Sequence, residues 1–333
     1  MILPGFRHVP GVHCGSTALC DALRARGLDL SEPMAFGLGA GLGFHYLHVP
    51  DFTPSHFFQG RSVGLETNAC RILGAKAVEC TADTPEEALE GVRQALGRGV
   101  APILSTDLAR LPYWRARTPF GGHRVVLAGL LEERGLALVA DTDRPTLEEV
   151  PLAALDEARA SLAPPFGVAG RPWLEVDAPP TPRPLAEAVR EALRLQAADM
   201  LLDTGGLGGL SAMERFGEEL PAWPTQARDH RDRARCFRFA YQVVEVRGTG
   251  GGLFRTLYAR FLREAEAGVA CLGALGLSAR MEGLSAGWSR LARALGELAE
   301  TGAAQVPPEV AAMARAVWEG ERRFWEDVAA RVP

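Results

Sequence analysis

Residues 120–141 read FGGHRVVLAGLLEERGLALVAD. Two apolar runs, 124–131 and 136–140, are separated by the short segment Glu132–Gly135, a spacing that predicts a strand–turn–strand unit. His123 opens the first strand behind two glycines, and Asp141 ends the second. In an antiparallel pair joined by a short turn, the start of one strand lies beside the end of the other. The sequence therefore predicts an imidazole and a carboxylate as neighbours on one sheet.

Working outward, Val100–Leu104 is a further short apolar run, and Asp107 follows it. Residues 15–26 predict a helix: Ala18, Leu19, Ala22 and Leu23 share a face, and Gly27 stands where a cap belongs. Residues 62–73 and 85–97 predict two more, the second announced by Thr84-Pro85-Glu86-Glu87. Helices followed by an antiparallel sheet make the first part of the chain α+β. Residues 31–44 carry glycines at 37, 39, 41 and 43, a spacing that fits neither a dinucleotide fingerprint nor a P-loop. They read as a tight, backbone-packed turn region. Residues 160–185 hold seven prolines and read as a junction. Helical patterns follow at 185–202, 209–219, 224–247, 253–268, 281–300 and 308–331. The expected organisation is an α+β domain over 1–155, a junction over 156–184 and an all-helical domain over 185–333.

The 333 residues are 47% hydrophobic and 23% charged, the balance of an ordinary globular protein of two domains. A net charge of -5 argues against nucleic acid or an anionic membrane as the main partner, though a local basic patch can still bind an acidic protein. The N-terminus MILPGFRHVPG lacks a signal-peptide core, and no run of eighteen apolar residues is present. The six cysteines form no Cys-x-x-Cys pair. Reduced thiols and a cytoplasmic location are expected, with no zinc site and no cofactor.

Cys14 stands directly before the first predicted helix. A thiolate there faces unpaired backbone N–H groups and the positive end of the helix dipole, which favour the anion. The same N–H groups can receive a developing oxyanion. Histidine titrates in the range that such a nucleophile needs from its base, and a carboxylate beside it fixes the ring and stabilises the imidazolium. Each residue has a plainer reading: a buried core cysteine, a strand-end histidine, a turn aspartate. Asp143 fits the last as well as Asp141 does. Together, a helix-opening Cys14, His123 behind Gly121-Gly122 and the strand-ending Asp141 are more specific than any one of them.

This order resembles papain-like cysteine enzymes, especially the bacteriocin-processing branch. A closer resemblance covers Phe6-Arg7-His8 and Gly11-Val12-His13-Cys14, then Leu30-Ser31-Glu32-Pro33-Met34 with Phe36-Gly37-Leu38-Gly39. It continues through Asp107, Leu111-Pro112-Tyr113, Gly122-His123 and Ala140-Asp141-Thr142. These stretches look like the N-terminal domain family named after butirosin biosynthesis protein H. The helical half, with Gly252-Leu253-Phe254-Arg255 and Tyr258, resembles the uncharacterised domain that usually follows it. The resemblance implies acyl transfer from an acyl carrier protein thioester to a small amine acceptor. Cys14 would be the nucleophile, His123 the base and Asp141 its orienting group. Papain-like enzymes usually place Gln six residues before the cysteine to complete the oxyanion hole; here that position is His8, with His13 as an alternative donor.

Glu32, Asp107, Tyr113 and Arg255 are further candidates for binding substrate, although Glu32 and Asp107 could equally pair with an internal cation such as Arg61. His45, His48 and His56 cluster around Asp51, but Pro50 and Pro54 make the stretch read as irregular loop rather than a metal site. The basic run Arg228–Arg238 reads as a solvated helix face or a docking patch for an acidic carrier. Homo-oligomerisation is compatible with all of this. The rival readings are a peptidase or amidase with the same triad, and a binding module that kept the fold without catalysis.

Overall fold

The computed structural model describes residues 1–332 except Arg117 and Val168. The chain forms two compact units, one of Met1–Ala35 with Glu66–Arg183 and one of Phe36–Leu65 with Pro184–Pro333. The architecture is α+β, with antiparallel sheets among N-terminal helices and a helical region after them.

The first unit is built on a six-stranded antiparallel sheet. In chain order its elements are helix α1 (Cys14–Ala25), the start of α2 (Glu32–Leu38), most of α3 (Leu65–Leu73), strand β3 (Lys76–Cys80), α4 (Pro85–Gly97) and β4 (Ile103–Asp107). Then come β5 (Gly121–Leu131), β6 (Leu136–Ala140), β7 (Glu148–Pro151), α5 (Leu152–Ala160) and β8 (Trp173–Asp177). The strand order is β3-β8-β4-β5-β6-β7. Helix α4 begins with a capping box: Thr84 accepts from the Glu87 N–H and Glu87 reaches back to the Thr84 N–H. Leu104, Val125, Val126, Leu127, Val139 and Val150 are fully buried in this sheet, and α1 packs across β8, β4 and β5.

The proline-rich stretch 156–184 is not a linker. Strand β8 lies within it and sits between β3 and β4, with Val176 facing Ala77 and Leu174 facing Ile103. Five residues of moderate apolarity between prolines carry no strong strand signal; pairing on both edges makes the strand.

The second unit combines the hairpin β1 (Leu42–His48) and β2 (His56–Arg61) with helices α6 (Leu185–Leu201), α7 (Gly209–Glu219), α8 (Trp223–Gln226), α9 (His230–Glu245), α10 (Arg255–Gly268), α11 (Ala270–Gly273), α12 (Leu277–Thr301) and α13 (Pro308–Arg331). Two expectations change here. Residues 31–44 hold α2 and the start of β1 rather than a turn region, and the histidine-bearing stretch is an antiparallel hairpin with a register shift between Leu42 and His45 and with His48 opposite His56. The prolines at 50 and 54 lie in the connection, where no ladder donor is needed. Leu42, Phe44 and Tyr46 alternate inward along β1. Phe44 stacks on Phe58 at 5.3 Å and on Trp288 at 5.6 Å, so the hairpin buries its apolar face among helices.

Arg255 is completely buried in this unit. Its Nε donates to Glu321 Oε1 at 2.6 Å and its Nη1 to the Leu253 carbonyl at 2.9 Å. Trp288 and Trp325 also donate to Glu321, each at 2.9 Å. These bonds satisfy the Glu321 carboxylate, as a stable buried ion pair requires, while Arg255 Nη2 is buried without a hydrogen-bond partner. Arg255 is thus committed to the scaffold, and Tyr258 is core. The run 228–238 opens α9: Arg228, Arg231, Arg235 and Arg238 are exposed while Cys236 and Phe237 are buried, the pattern of a solvated helix face. Among the described residues no helix is long and apolar enough to cross a membrane.

Candidate active site

Three side chains from separate elements of the first unit meet. Cys14 is the first residue of α1, His123 lies near the start of β5, and Asp141 follows the last residue of β6. Val126 faces Ala140 across the β5–β6 ladder. His123 and Asp141 are therefore diagonal neighbours on one face, within reach of each other. His123 Nε2 lies 2.8 Å and 2.9 Å from the two Asp141 carboxylate oxygens. The same imidazole hydrogen-bonds the Cys14 side chain. Gly122, behind the histidine, adopts φ +84°, and a Cβ there would lie 2.5 Å from Phe166 Cβ, so only glycine fits.

The electrostatics follow from this line of contacts. Burial pulls the His123 ring towards its neutral form, but hydrogen bonds and charge from Asp141 and Cys14 outweigh it and push the ring up to about 10. Burial likewise pushes Asp141 up, yet hydrogen bonds from His123, Trp114 and Tyr113 hold its carboxyl below the usual value. A protonated imidazole beside a cysteine at a helix start is the setting in which a thiolate is stable.

Asp141 is held by more than the histidine. Tyr113 Oη donates to Oδ2 at 2.8 Å and Trp114 Nε1 donates to Oδ2 at 2.6 Å. The Thr142 N–H donates to Oδ1 at 2.8 Å. The Arg144 guanidinium lies over the Trp114 ring at 4.4 Å, and Trp114 meets His123 edge-on at 5.8 Å. Tyr113, expected to meet substrate, instead positions the acid. Trp114, Thr142 and Arg144 were missed in the sequence; the one signal was adjacency to Tyr113 and Asp141. Asp107 is also absorbed by the scaffold, accepting from the Phe120 N–H at 2.9 Å, the Ala109 N–H at 3.0 Å and Ser161 Oγ at 2.9 Å. It ties down both ends of the loop that carries Tyr113 and Trp114.

Glu32 plays the equivalent part for the cysteine. Its carboxylate accepts from the His13 N–H at 2.7 Å, the Val12 N–H at 3.0 Å, Ser16 Oγ at 3.1 Å and Thr17 Oγ1 at 3.2 Å. On the other side, the Gly11 N–H donates to the Thr142 carbonyl at 2.6 Å. A Cβ on Gly11 would lie 2.1 Å from Thr17 Oγ1 and 2.8 Å from Glu32 Oε2. Glu32 therefore shapes the turn that presents Cys14, rather than standing open to substrate. Glu32→Gln turns an amide donor towards these donors. The expected result is a loss of about 2–4 kcal/mol in urea unfolding, with slower alkylation of Cys14. A variant of unchanged stability and unchanged alkylation rate contradicts this role.

The two oxyanion candidates separate. His13 is the N-cap of α1, and its Nδ1 accepts the Ser16 N–H at 3.2 Å. His8 pairs with Asp21 through Nδ1, and a backbone hydrogen bond with Arg144 adds to the hold on its charged form. Burial opposes charge on His8, but Asp21 prevails and raises the ring above the ordinary histidine value. Asp21 is two turns along α1 from Cys14.

An α+β unit with a cysteine, a histidine and an aspartate in one hydrogen-bonded line is the frame on which cysteine nucleophiles are built. The N-terminal region matches the family model "Butirosin biosynthesis protein H, N-terminal" over residues 13–142. Residues 153–328, more than half of the chain, match "Domain of unknown function (DUF4872)". The chain belongs to this family, with a biosynthesis-related N-terminal domain of the butirosin biosynthesis protein H type. No curated protein matches it.

Proposed function

We propose that the chain is a cysteine-dependent acyltransferase, moving an acyl or aminoacyl group from a carrier-protein thioester to an amine. The observation that supports this reading is the single line of contacts from Cys14 through His123 to Asp141. In the first half-reaction the Cys14 sulfur attacks the thioester carbonyl carbon. The carrier sulfur then leaves and takes the proton held by His123. In the second, the amine nitrogen attacks the acyl-Cys14 carbonyl, His123 accepts the proton that the amine loses, and the Cys14 thiolate departs. Asp141 holds the imidazole in orientation and balances its charge through both steps. His8, paired with Asp21, is the side-chain donor we assign to the oxyanion. Expected partners are an acyl carrier protein and a small amine.

The test is incubation of the whole chain with an aminoacyl carrier thioester, with and without a panel of amines, followed by mass spectrometry. The expected products are an acyl adduct on Cys14 and an amide whose formation depends on the amine. Release of free acid alone, whatever amine is added, means that water is the acceptor and overturns the transferase reading.

A further inference from the structure

Outside that site, the second unit places two histidines and a carboxylate together. His48 ends β1, His56 opens β2 opposite it, and Glu219 ends α7. One ligand atom from each lies within 4.8 Å of the others. The two imidazole rings stack at 4.0 Å, 10° from parallel. His56 is fully buried, whereas His48 is only partly so.

The hydrogen bonds assign the protons. Trp223 Nε1 donates to Tyr46 Oη at 2.9 Å, and Tyr46 donates its one proton to Glu219 Oε2 at 2.8 Å. Tyr46 Oη lies 2.9 Å from His56 Nδ1 and has no second proton to give, so His56 Nδ1 is the donor there. That leaves the His56 Nε2 lone pair buried with no hydrogen-bond partner, and His48 Nε2 is a second buried nitrogen in the same condition. Unpaired buried polar atoms are costly and rare. Here two occur side by side, next to a carboxylate. The chain Nδ1–H to tyrosine to carboxylate is the kind of outer-shell support that fixes a ligating imidazole.

We infer that His48, His56 and Glu219 form a binding site for a divalent transition-metal ion of the zinc class, tying the β1–β2 hairpin to the end of α7. Two imidazoles and one carboxylate suit zinc, cobalt and nickel rather than magnesium or calcium. A tetrahedral zinc sets its ligand atoms roughly 3.4 Å apart, so closure needs side-chain shifts of the order of 1 Å. Glu219 Oε1 already accepts from Arg215 Nε at 2.7 Å, but a carboxylate retains further lone pairs for a metal. Three protein ligands leave a fourth position for water or another small donor.

The experiment is titration of the full chain with cobalt(II), followed by absorption and by competition with zinc, in the native protein and in Cys14→Ser. His48→Ala and Glu219→Gln are the test variants, chosen because neither side chain is fully buried. The expected result is one equivalent bound by native protein and by Cys14→Ser, with no thiolate charge-transfer band, and affinity lower by on the order of tenfold or more in both test variants. Circular dichroism confirms that the variants remain folded. Failure to bind, a thiolate band, or affinity unchanged in His48→Ala overturns the assignment.

Discussion

Cys14→Ala is expected to abolish the acyl-enzyme and to slow transfer by roughly 10⁴–10⁶-fold, since losing the nucleophile of a coupled set removes most of what the set achieves. Intact-protein mass spectrometry reads the adduct, and product formation reads the rate. The companion measurement is alkylation of native Cys14 against pH. His123 is raised to about 10, so it stays protonated through the neutral range and loses its proton only as pH climbs through that value. Asp141 lies below the usual carboxylate value, so it loses its charge only in acid. The charged constellation therefore persists from mildly acid pH to about 10, and iodoacetamide should react with Cys14 at pH 6–7 far faster than with an ordinary thiol of pKa about 8.5. Of the other cysteines, Cys20 and Cys70 are buried and their thiols are pushed up by that burial, so they should stay slow. A thiol-like profile for Cys14, or full activity in Cys14→Ala, would remove both the transferase and the hydrolase readings.

Asp141→Asn should be nearly as damaging, for two separable reasons. The carboxylate only accepts, and it receives from His123, Tyr113, Trp114 and the Thr142 N–H. An amide puts a donor among those donors. Breaking a buried charged pair from one side costs about 3–5 kcal/mol, which should appear as a lower urea midpoint. It also frees the imidazole to adopt the wrong tautomer, for a fall in turnover of roughly 10³–10⁴-fold. Tyr113→Phe separates the effects. It removes one neutral donor and leaves the His123–Asp141 pair, so stability should drop by about 1 kcal/mol with a much smaller loss of rate. The His123 titration, followed by NMR, should fall from about 10 in Asp141→Asn and move little in Tyr113→Phe. Equal effects of the two substitutions on rate would show that Asp141 acts only as a structural anchor.

The local signals proved strong where one element alone decides the matter. Thr84 to Glu87 announces α4, and the helices at 209–219 and 308–331 appear at the residues where apolar periodicity put them. The two strands around Glu132–Gly135 were legible because a short turn between apolar runs has few other solutions. Elsewhere the pattern was silent. Strand β8 hides among prolines because its stability comes from partners on both sides. The hairpin of β1 and β2 looked irregular because its histidines and prolines mask the inward alternation of Leu42, Phe44 and Tyr46. Glu32, Asp107, Tyr113 and Arg255 carry groups able to hold a substrate, but residue type does not reveal which donors and acceptors are already spent on the chain itself.

By itself the sequence determined the α+β order, the helix that begins at Cys14, and the adjacency of His123 and Asp141, because each depends on spacing along the chain and on strand or helix period. Only the tertiary structure decided that residues 36–65 fold with the helices of the second unit, and that 156–184 supply a strand to the first. It also decided that Tyr113 and Trp114 brace an aspartate 28 and 27 residues away. Contacts of that kind are chosen by which buried donors and apolar faces find partners after collapse, and no local pattern of residues encodes that choice.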